Sequence, residues 1–411
     1  MLYDTVNKNQ LYFRGMNNSR IMNKGKRIAF IRLKAWPLAN CIVEGVLKEQ
    51  FPEHEVDTID VSNLIRQRPG LILVNSIVTV LHYGKDIAQG RKKFQAAFWR
   101  TPFIFRQIRR LVQKRIAKGT YAFTFQMQSL FDASMPGIPH FVYTDHTHLE
   151  NRHYTTGAPS LYSPRWIELE RQIYQNAAIT FLRSSNVRRS LIEEYGCSPE
   201  KAVLVYAGSN ANVSPIKTAN IDYTQPNILF VGLDWKRKGG ADLVEAFKLV
   251  REVLPDARLT IVGAAPDLHV AGCEVIGKVP PDELDKYYQQ ASIFCLPTYL
   301  EPFGIVFIEA MTAHLAIVAT RVGAIPDFVE EGRNGIMVGP GDIHGLANAL
   351  LQLLKNPELC RSFGEYSFQL TQDRYSWGAV GEKFKQSIRK LLDEPHSPTH
   401  VDLWSVEEMQ P

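Results

Sequence analysis

The sequence predicts an α/β protein of two doubly wound domains, each a parallel sheet with helices on both faces. Three observations predict it. The chain has 411 residues, more than one hydrophobic core ordinarily accommodates. Short apolar runs bounded by loops recur along it, as expected of strands buried on both faces. In the second half those runs alternate with helix-length amphipathic segments, the pattern of repeated β-α units.

The bulk composition narrows the class. With 45% hydrophobic and 22% charged residues the chain reads as globular. Its five cysteines (Cys41, Cys197, Cys273, Cys295 and Cys360) include no CxxC pair. That argues against a disulfide framework or a zinc site and fits a reducing cytosol. No uninterrupted apolar run reaches the roughly 18 residues of a membrane span. Residues 1–25 are polar and rich in Asn, Lys and Arg, so we read them as a flexible basic lead and not a signal peptide. The sequons at Asn17 and Asn212 therefore carry little weight.

The first strand is expected at Arg27–Ile31. Further strands are expected at Leu71–Val74, His140–Tyr143, Ala178–Phe181 and Val203–Val205. Asn220–Asn227 is polar, contains Pro226 and precedes a fresh strand at Ile228–Val231, so it reads as the linker between domains. Leu243, Ala246, Phe247, Val250 and Leu254 share one helical face. Then come strand Arg258–Val262, helix Asp282–Gln290, strand Ser292–Leu296, helix Ile305–Thr312 and strand Ala316–Ala319. Strand Gly335–Val338 and helices Ile343–Leu354 and Trp377–Leu392 complete the series. This predicts an N-terminal domain over 26–222 and a C-terminal domain over 223–375. A helix over 376–394 would cross back onto the first, ahead of a disordered tail at 395–411.

The chemistry concentrates in Pro297-Thr298-Tyr299-Leu300-Glu301-Pro302-Phe303-Gly304-Ile305-Val306-Phe307-Ile308-Glu309. A strand ends at Leu296, a loop carries Glu301, and a helix starts near Gly304. A helix start offers free N–H groups and a positive dipole end, which suit a diphosphate. Glycine at 304 lets the backbone come close to a ligand. Glu309 stands just over one turn into the helix, about 8 Å along its axis. Upstream, Asp234-Trp235-Lys236-Arg237-Lys238-Gly239-Gly240 puts cations at another helix N-terminus, an electrostatic oddity unless an anion sits there. Fixed cations at that point would stabilise the negative charge of a departing diphosphate.

Glu301 and Glu309, with seven residues between them, match the EX7E signature. The chain thereby resembles retaining GT-B glycosyltransferases, most closely glycosyltransferase family 4. Phe230-Val231-Gly232, Lys238-Gly239-Gly240, Leu259–Gly263, Val322-Gly323-Ala324-Ile325-Pro326 and Asn334-Gly335 strengthen the likeness. It is strong over 226–392 and traceable over 26–225. The resemblance implies the GT-B fold, two Rossmann-like domains facing a cleft. It also implies a nucleotide-sugar donor held by the second domain, a glycan, lipid-linked or small-molecule acceptor on the first, and no cofactor or metal. On it, Glu309 would bond the donor ribose and Glu301 the sugar hydroxyls. The amides of Gly304, Ile305 and Val306 would meet the diphosphate or ribose. Lys238 would be the phosphate lysine, and the loop at Gly277, Lys278 and Val279 would hold the base. Leu233 stands where the family usually has Arg, which leaves Arg237 as the substitute. His314 and Ala316 stand where Gly and Pro are usual, and His314 reads as structural.

Phe141-Val142-Tyr143-Thr144-Asp145-His146-Thr147-His148 sets two histidines just beyond a strand. In the family a histidine here contacts the donor sugar. The Tyr-Thr-x-His spacing selects His146, with His148 in reserve. The competing readings are a metal site of both with His153, or a loop histidine bonded for structure alone. Gln126 and Gln128 are candidates for the acceptor side.

Residues 91–118 carry ten Lys and Arg, no Asp or Glu, and interleaved aromatic and aliphatic residues. Such a segment is either a membrane-interface helix meeting anionic lipid or a domain helix with a solvated basic face. Nucleic-acid binding is not expected, since no binding motif accompanies the charge. Gly339-Pro340-Gly341-Asp342-Ile343-His344-Gly345 mimics a dinucleotide fingerprint but has the wrong spacing and comes too late in its domain. The expected activity is metal-independent sugar transfer in the cytoplasm, peripheral at the inner membrane face if the basic segment binds lipid. Catalysis would fall to Glu301, His146 and Lys238. Two rivals remain: a GT-B phosphorylase needing pyridoxal phosphate, and a catalytically inactive sugar-nucleotide-binding scaffold.

Overall fold

The structure, a computed structural model, describes residues 27–35, 38–154, 161–209 and 222–393. The predicted basic lead, the tail and the first two linker positions lie outside the described residues.

The first domain is a six-stranded parallel sheet in the order β2-β1-β3-β4-β5-β6. Its strands are β1 Arg27–Arg32, β2 Glu55–Asp60, β3 Tyr121–Met127, β4 His140–Thr144, β5 Ile179–Leu182 and β6 Ala202–Leu204. The helices between them are α1 Ala39–Gln50, α2 Val61–Arg66, α3 Pro69–Ala88, α4 Phe94–Phe98, α5 Pro102–Ile116, α6 Pro164–Asn176 and α7 Ser185–Glu193. Continuous apolar strands such as Ile28-Ala29-Phe30-Ile31 are wholly buried because helices cover both faces.

The second domain repeats the plan in the order β12-β11-β10-β7-β8-β9. Its strands are β7 Asn227–Gly232, β8 Arg258–Gly263, β9 Cys273–Gly277, β10 Ile293–Leu296, β11 Ala316–Thr320 and β12 Gly335–Val338. Its helices are α8 Gly240–Val253, α9 Asp285–Gln289, α10 Ile305–Thr312, α11 Ile325–Phe328, α12 Ile343–Leu354 and α13 Pro357–Arg374. The chain leaves β7 toward β8 and β9 on one side and returns to β10 on the other. β7 and β10 therefore flank a topological switch point, where doubly wound sheets open a ligand crevice at the strand carboxyl ends.

The last helix, α14 (Trp377–Asp393), packs on the first domain. Phe384 sits against Phe125, Tyr143 and Phe181, and Val380 and Ile388 join the same core.

Several expectations need correction. Leu71–Val74 is not a strand; it lies in the 20-residue helix α3, which Pro69 opens at its first turn. A four-residue apolar run does not distinguish strand from helix. The helix expected at Asp282–Gln290 is a 3-10 turn, Pro281–Glu283, followed by short α9. The basic segment is α4, a turn and α5, and the apolar face of α5 (Ile104, Phe105, Ile108, Val112, Ile116) is buried. Within that segment, α5 has the packing of a domain helix.

Candidate functional site

The site grows out of the two loops at the switch point. After β7 the chain turns through Lys236, Arg237 and Lys238 into α8; after β10 it turns through Thr298, Tyr299 and Glu301 into α10. The loops are stitched together: the Tyr299 N–H donates to Arg237 O at 2.9 Å, and Thr298 Oγ1 to the same oxygen at 3.1 Å. Arg237 returns the link through Nη1 to Leu300 O at 2.7 Å. Both helices begin on a left-handed glycine with no side-chain cap, Gly239 at φ 69° and Gly304 at φ 89°. At Gly239 a Cβ would stand 1.9 Å from Pro297 O, so only glycine allows the two loops to touch. Two uncapped helix N-termini thus face one spot, which favours an anion there.

At that spot Lys238 Nζ donates to Glu301 Oε2 in a buried ion pair, with the two residues 7% and 5% exposed. Burial holds the Lys238 ammonium below its usual pKa, against the pull of Glu301. Gly323 closes over the pair: its Cβ would lie 2.1 Å from Glu301 O, while the Ala324 N–H donates to that oxygen at 3.1 Å.

Glu309 sits deeper. It is 5% exposed and accepts from Tyr288 Oη at 2.9 Å, and burial pushes its carboxyl up to about 7. Arg237, by contrast, spends its guanidinium on Leu300 O and on Asp234, 3.4 Å away, and so anchors the loop. Leu233 is 71% exposed beside it. Lys278 is exposed and Val279 half-buried in the loop following β9, with Gly277 at φ 75°. His314 is buried at φ 58° and stacks on Phe368 with centroids 4.1 Å apart. A positive φ is natural for glycine, so this backbone carries strain under a histidine.

In the first domain the loop after β4 holds His146 and His148, and the structure separates them. His148 Nε2 accepts the Tyr162 N–H at 2.7 Å, and burial pushes its pKa down to about 3. It is a bonded structural histidine. His146 keeps a buried Nδ1 with no hydrogen-bond partner, and burial pushes its pKa below the usual imidazole value. It lines a polar pocket with Arg100, Gln128, Thr144, Asp145 and Glu170. Gln128 reaches that pocket, whereas Gln126 is consumed by its own loop, bonding Phe131 O at 2.6 Å and the Ala133 N–H at 2.9 Å. Sequence reading missed Glu170, which accepts from the His148 N–H, Tyr174 and Tyr195 and fixes the histidine loop. Burial pushes its carboxyl up to about 6.

The domain faces meet over these loops. Arg183, after β5, lies over Tyr143 at 4.6 Å and reaches Phe303 of the second domain at 6.0 Å. The Ser185 N–H at the start of α7 donates to Asp327 Oδ2 at 2.7 Å. Tyr154 is 8% exposed with its hydroxyl unpartnered, and that oxygen lies 2.8 Å from where a Gly323 Cβ would be. Between the faces lies a cleft of about 580 Å³ lined by Glu150, Tyr154, Asn186, Arg189, Arg321 and Gly323, among others. Neither Arg183 nor Tyr154 carries a sequence signal, because each has contacts on elements far away in the chain. His153 does not join His146 and His148; its Nε2 lies 3.4 Å from Glu194, and these two with Glu150 present ligand atoms within 4.8 Å of one another.

Residues 54–212 match the family model for Glycosyltransferase Family 4, and residues 216–370 match that for Glycosyl transferases group 1. The chain belongs to glycosyltransferase family 4. Among relatives of known description, it is 30% identical over 243 residues to the D-inositol 3-phosphate glycosyltransferase of Corynebacterium aurimucosum, covering 53% of this chain and 58% of that one. It is 27% identical over 260 residues to the alpha-maltose-1-phosphate synthase of Mycolicibacterium smegmatis, covering 55% and 66%. It is 28% identical over 244 residues to a sulfoquinovosyl transferase of Arabidopsis thaliana, covering 55% and 47%. The matches thus span about half to two thirds of those relatives' length. Among solved structures, Anabaena HepE in complex with UDP and glucose aligns at a TM-score of 0.59 and 15% identity, over 88% of this chain and 99% of that one. Sucrose-phosphate synthase of Thermosynechococcus elongatus aligns at 0.57 and 21%, over 71% and 79%. The family member described here has the GT-B fold.

Proposed function

We propose that the protein is a retaining glycosyltransferase that moves a sugar from a nucleotide-sugar donor to a carbohydrate or lipid-linked acceptor. The observation that carries the reading is the buried Lys238–Glu301 pair where two uncapped helix N-termini converge. The donor diphosphate would lie against Lys238 and the amides of Ile305 and Val306. Glu301 would accept from the sugar hydroxyls, and Glu309, beside Tyr288, from the ribose. His146, with its buried and unpartnered Nδ1, would face the sugar from the first domain.

The bond between the anomeric carbon and the diphosphate oxygen breaks as the acceptor hydroxyl attacks from the same face. Its proton passes to the departing phosphate oxygen, so no protein nucleophile is required. The ammonium of Lys238 and the helix amides offset the charge growing on the phosphate, and so supply the electrostatic stabilisation. With that charge met by protein groups, transfer needs no metal. The five cysteines, all free thiols, suit a reducing cytoplasm.

The experiment is product analysis by NMR with UDP-, GDP- and ADP-sugars and a panel of acceptors in the presence of EDTA. One nucleotide class should yield product with the donor's anomeric configuration. An inverted product, or transfer abolished by EDTA and restored by a divalent ion, contradicts the reading.

A further inference from the structure

Helix α3 is built inside out. Its most buried positions are polar: Asn75 and Thr79 are fully buried and Tyr83 is 4% exposed, while Leu71 and Ile72 at its start pack half-buried on the core. Asn75 Nδ2 donates to Phe98 O at 2.8 Å and Tyr83 Oη to Arg100 O at 2.9 Å, which pins the helix to the domain. Its outer face is aliphatic, with Leu73 65% exposed, Val74 45%, Ile77 55%, Val80 56% and Leu81 78%. These positions recur at three- and four-residue intervals and so form one stripe. Phe94, just beyond the helix, is 41% exposed. Among the described residues nine large apolar side chains are exposed, and these are six of them. No charged residue occurs from Pro69 to Gly84. A water-facing helix has the opposite arrangement, and a contiguous apolar stripe of this kind marks an interaction surface.

The surroundings say what covers it. Arg66 and Arg68 precede the stripe, Lys85 continues it, and Arg91 and Lys93 follow it. Thirteen Lys and Arg lie between Asp60 and Asp132 against one acid, Asp86. Arg91 and Lys92 pair with it, Arg109 with Asp132 and Arg115 with Asp57. The cations nearest the stripe in sequence and outside these pairs are Arg66, Arg68, Lys85 and Lys93. We propose that the α3 stripe and Phe94, rimmed by these cations, dock the first domain on an anionic lipid surface. An aliphatic stripe takes the acyl boundary while basic residues meet the headgroups. The helix is long and apolar enough to cross a membrane, but its polar face is bonded to the domain, so it lies in the plane of the interface. A second copy is disfavoured: a two-fold contact through this stripe would set basic rim against basic rim. The docking does not depend on the catalytic reading, and Lys238→Ala is expected to bind vesicles as the wild type does.

The test is co-sedimentation of the full chain with phosphatidylcholine vesicles, with or without about one-third phosphatidylglycerol. The expected result is about tenfold stronger partitioning to the anionic vesicles, weakened by salt. Ile77→Ser/Leu81→Ser, which changes exposed residues and should keep the wild-type melting temperature, is expected to lose about tenfold of that binding. Equal partitioning to both vesicles, or full binding by the double variant, overturns the proposal. So does a lipid-free dimer that the double variant dissociates.

Discussion

At the scale of single residues, the Lys238–Glu301 pair is the group on which everything else rests. Removing one partner leaves a buried charge uncompensated. Lys238→Met should therefore lower stability to urea by about 3 kcal/mol, and adding Glu301→Gln should restore most of it. Neither variant should transfer sugar, so a melting curve and a rate assay together separate the structural from the chemical role. Glu309 makes a second residue-level prediction. Its carboxyl titrates near 7 folded against an ordinary value of 4.5, so the folded protein binds the proton more tightly. The wild type should then lose stability as pH rises from about 4.5 to about 7, by on the order of 3 kcal/mol from this group alone. Glu309→Gln should flatten that part of the curve in urea titrations across the range; an unchanged slope would show that Glu309 ionises normally.

At the scale of elements, the second domain was the more legible half. Helix Ile305–Thr312 and strand Gly335–Val338 fall where the sequence puts them, because Gly304 and Gly335 punctuate long apolar runs. Edge strand Glu55–Asp60 was not anticipated: it reads Glu-Val-Asp-Thr-Ile-Asp, with too few apolar residues for a buried pattern. Leu71–Val74 of helix α3 reads as a strand because a four-residue apolar run fits either element, and the polar residues that follow hide the helix. In the candidate site, Glu301 and Glu309 stand out in the sequence through the EX7E spacing, and Lys238 through the cation cluster and the resemblance to the family. Glu170, Arg183 and Tyr154 do not, since their partners lie on other elements or across the cleft. The glycine joining the two site loops gives the element-level prediction. Gly239→Ala would press a methyl into Pro297 O from a left-handed backbone, so it should cost about 2 kcal/mol and weaken nucleotide binding more than it lowers the melting temperature.

At the scale of the whole molecule, two sheets present their carboxyl ends to each other, and α14 ties the second domain to the core of the first. Arg183 sets the register of the faces by reaching Phe303. Arg183 is itself buried, over Tyr143 and 3.7 Å from Asp145, so Arg183→Ala should raise the donor KM about tenfold and also lower the melting temperature. On the proposed function, the switch-point crevice of the second domain holds a nucleoside diphosphate through Lys238. Calorimetric titration of the wild type and Lys238→Met with UDP-, GDP- and ADP-sugars in EDTA tests it most directly. One nucleotide class should bind the wild type and lose at least about tenfold in the variant, the worth of a charge-assisted contact. Equal affinity for both proteins, or no binding of any of the three, would contradict it.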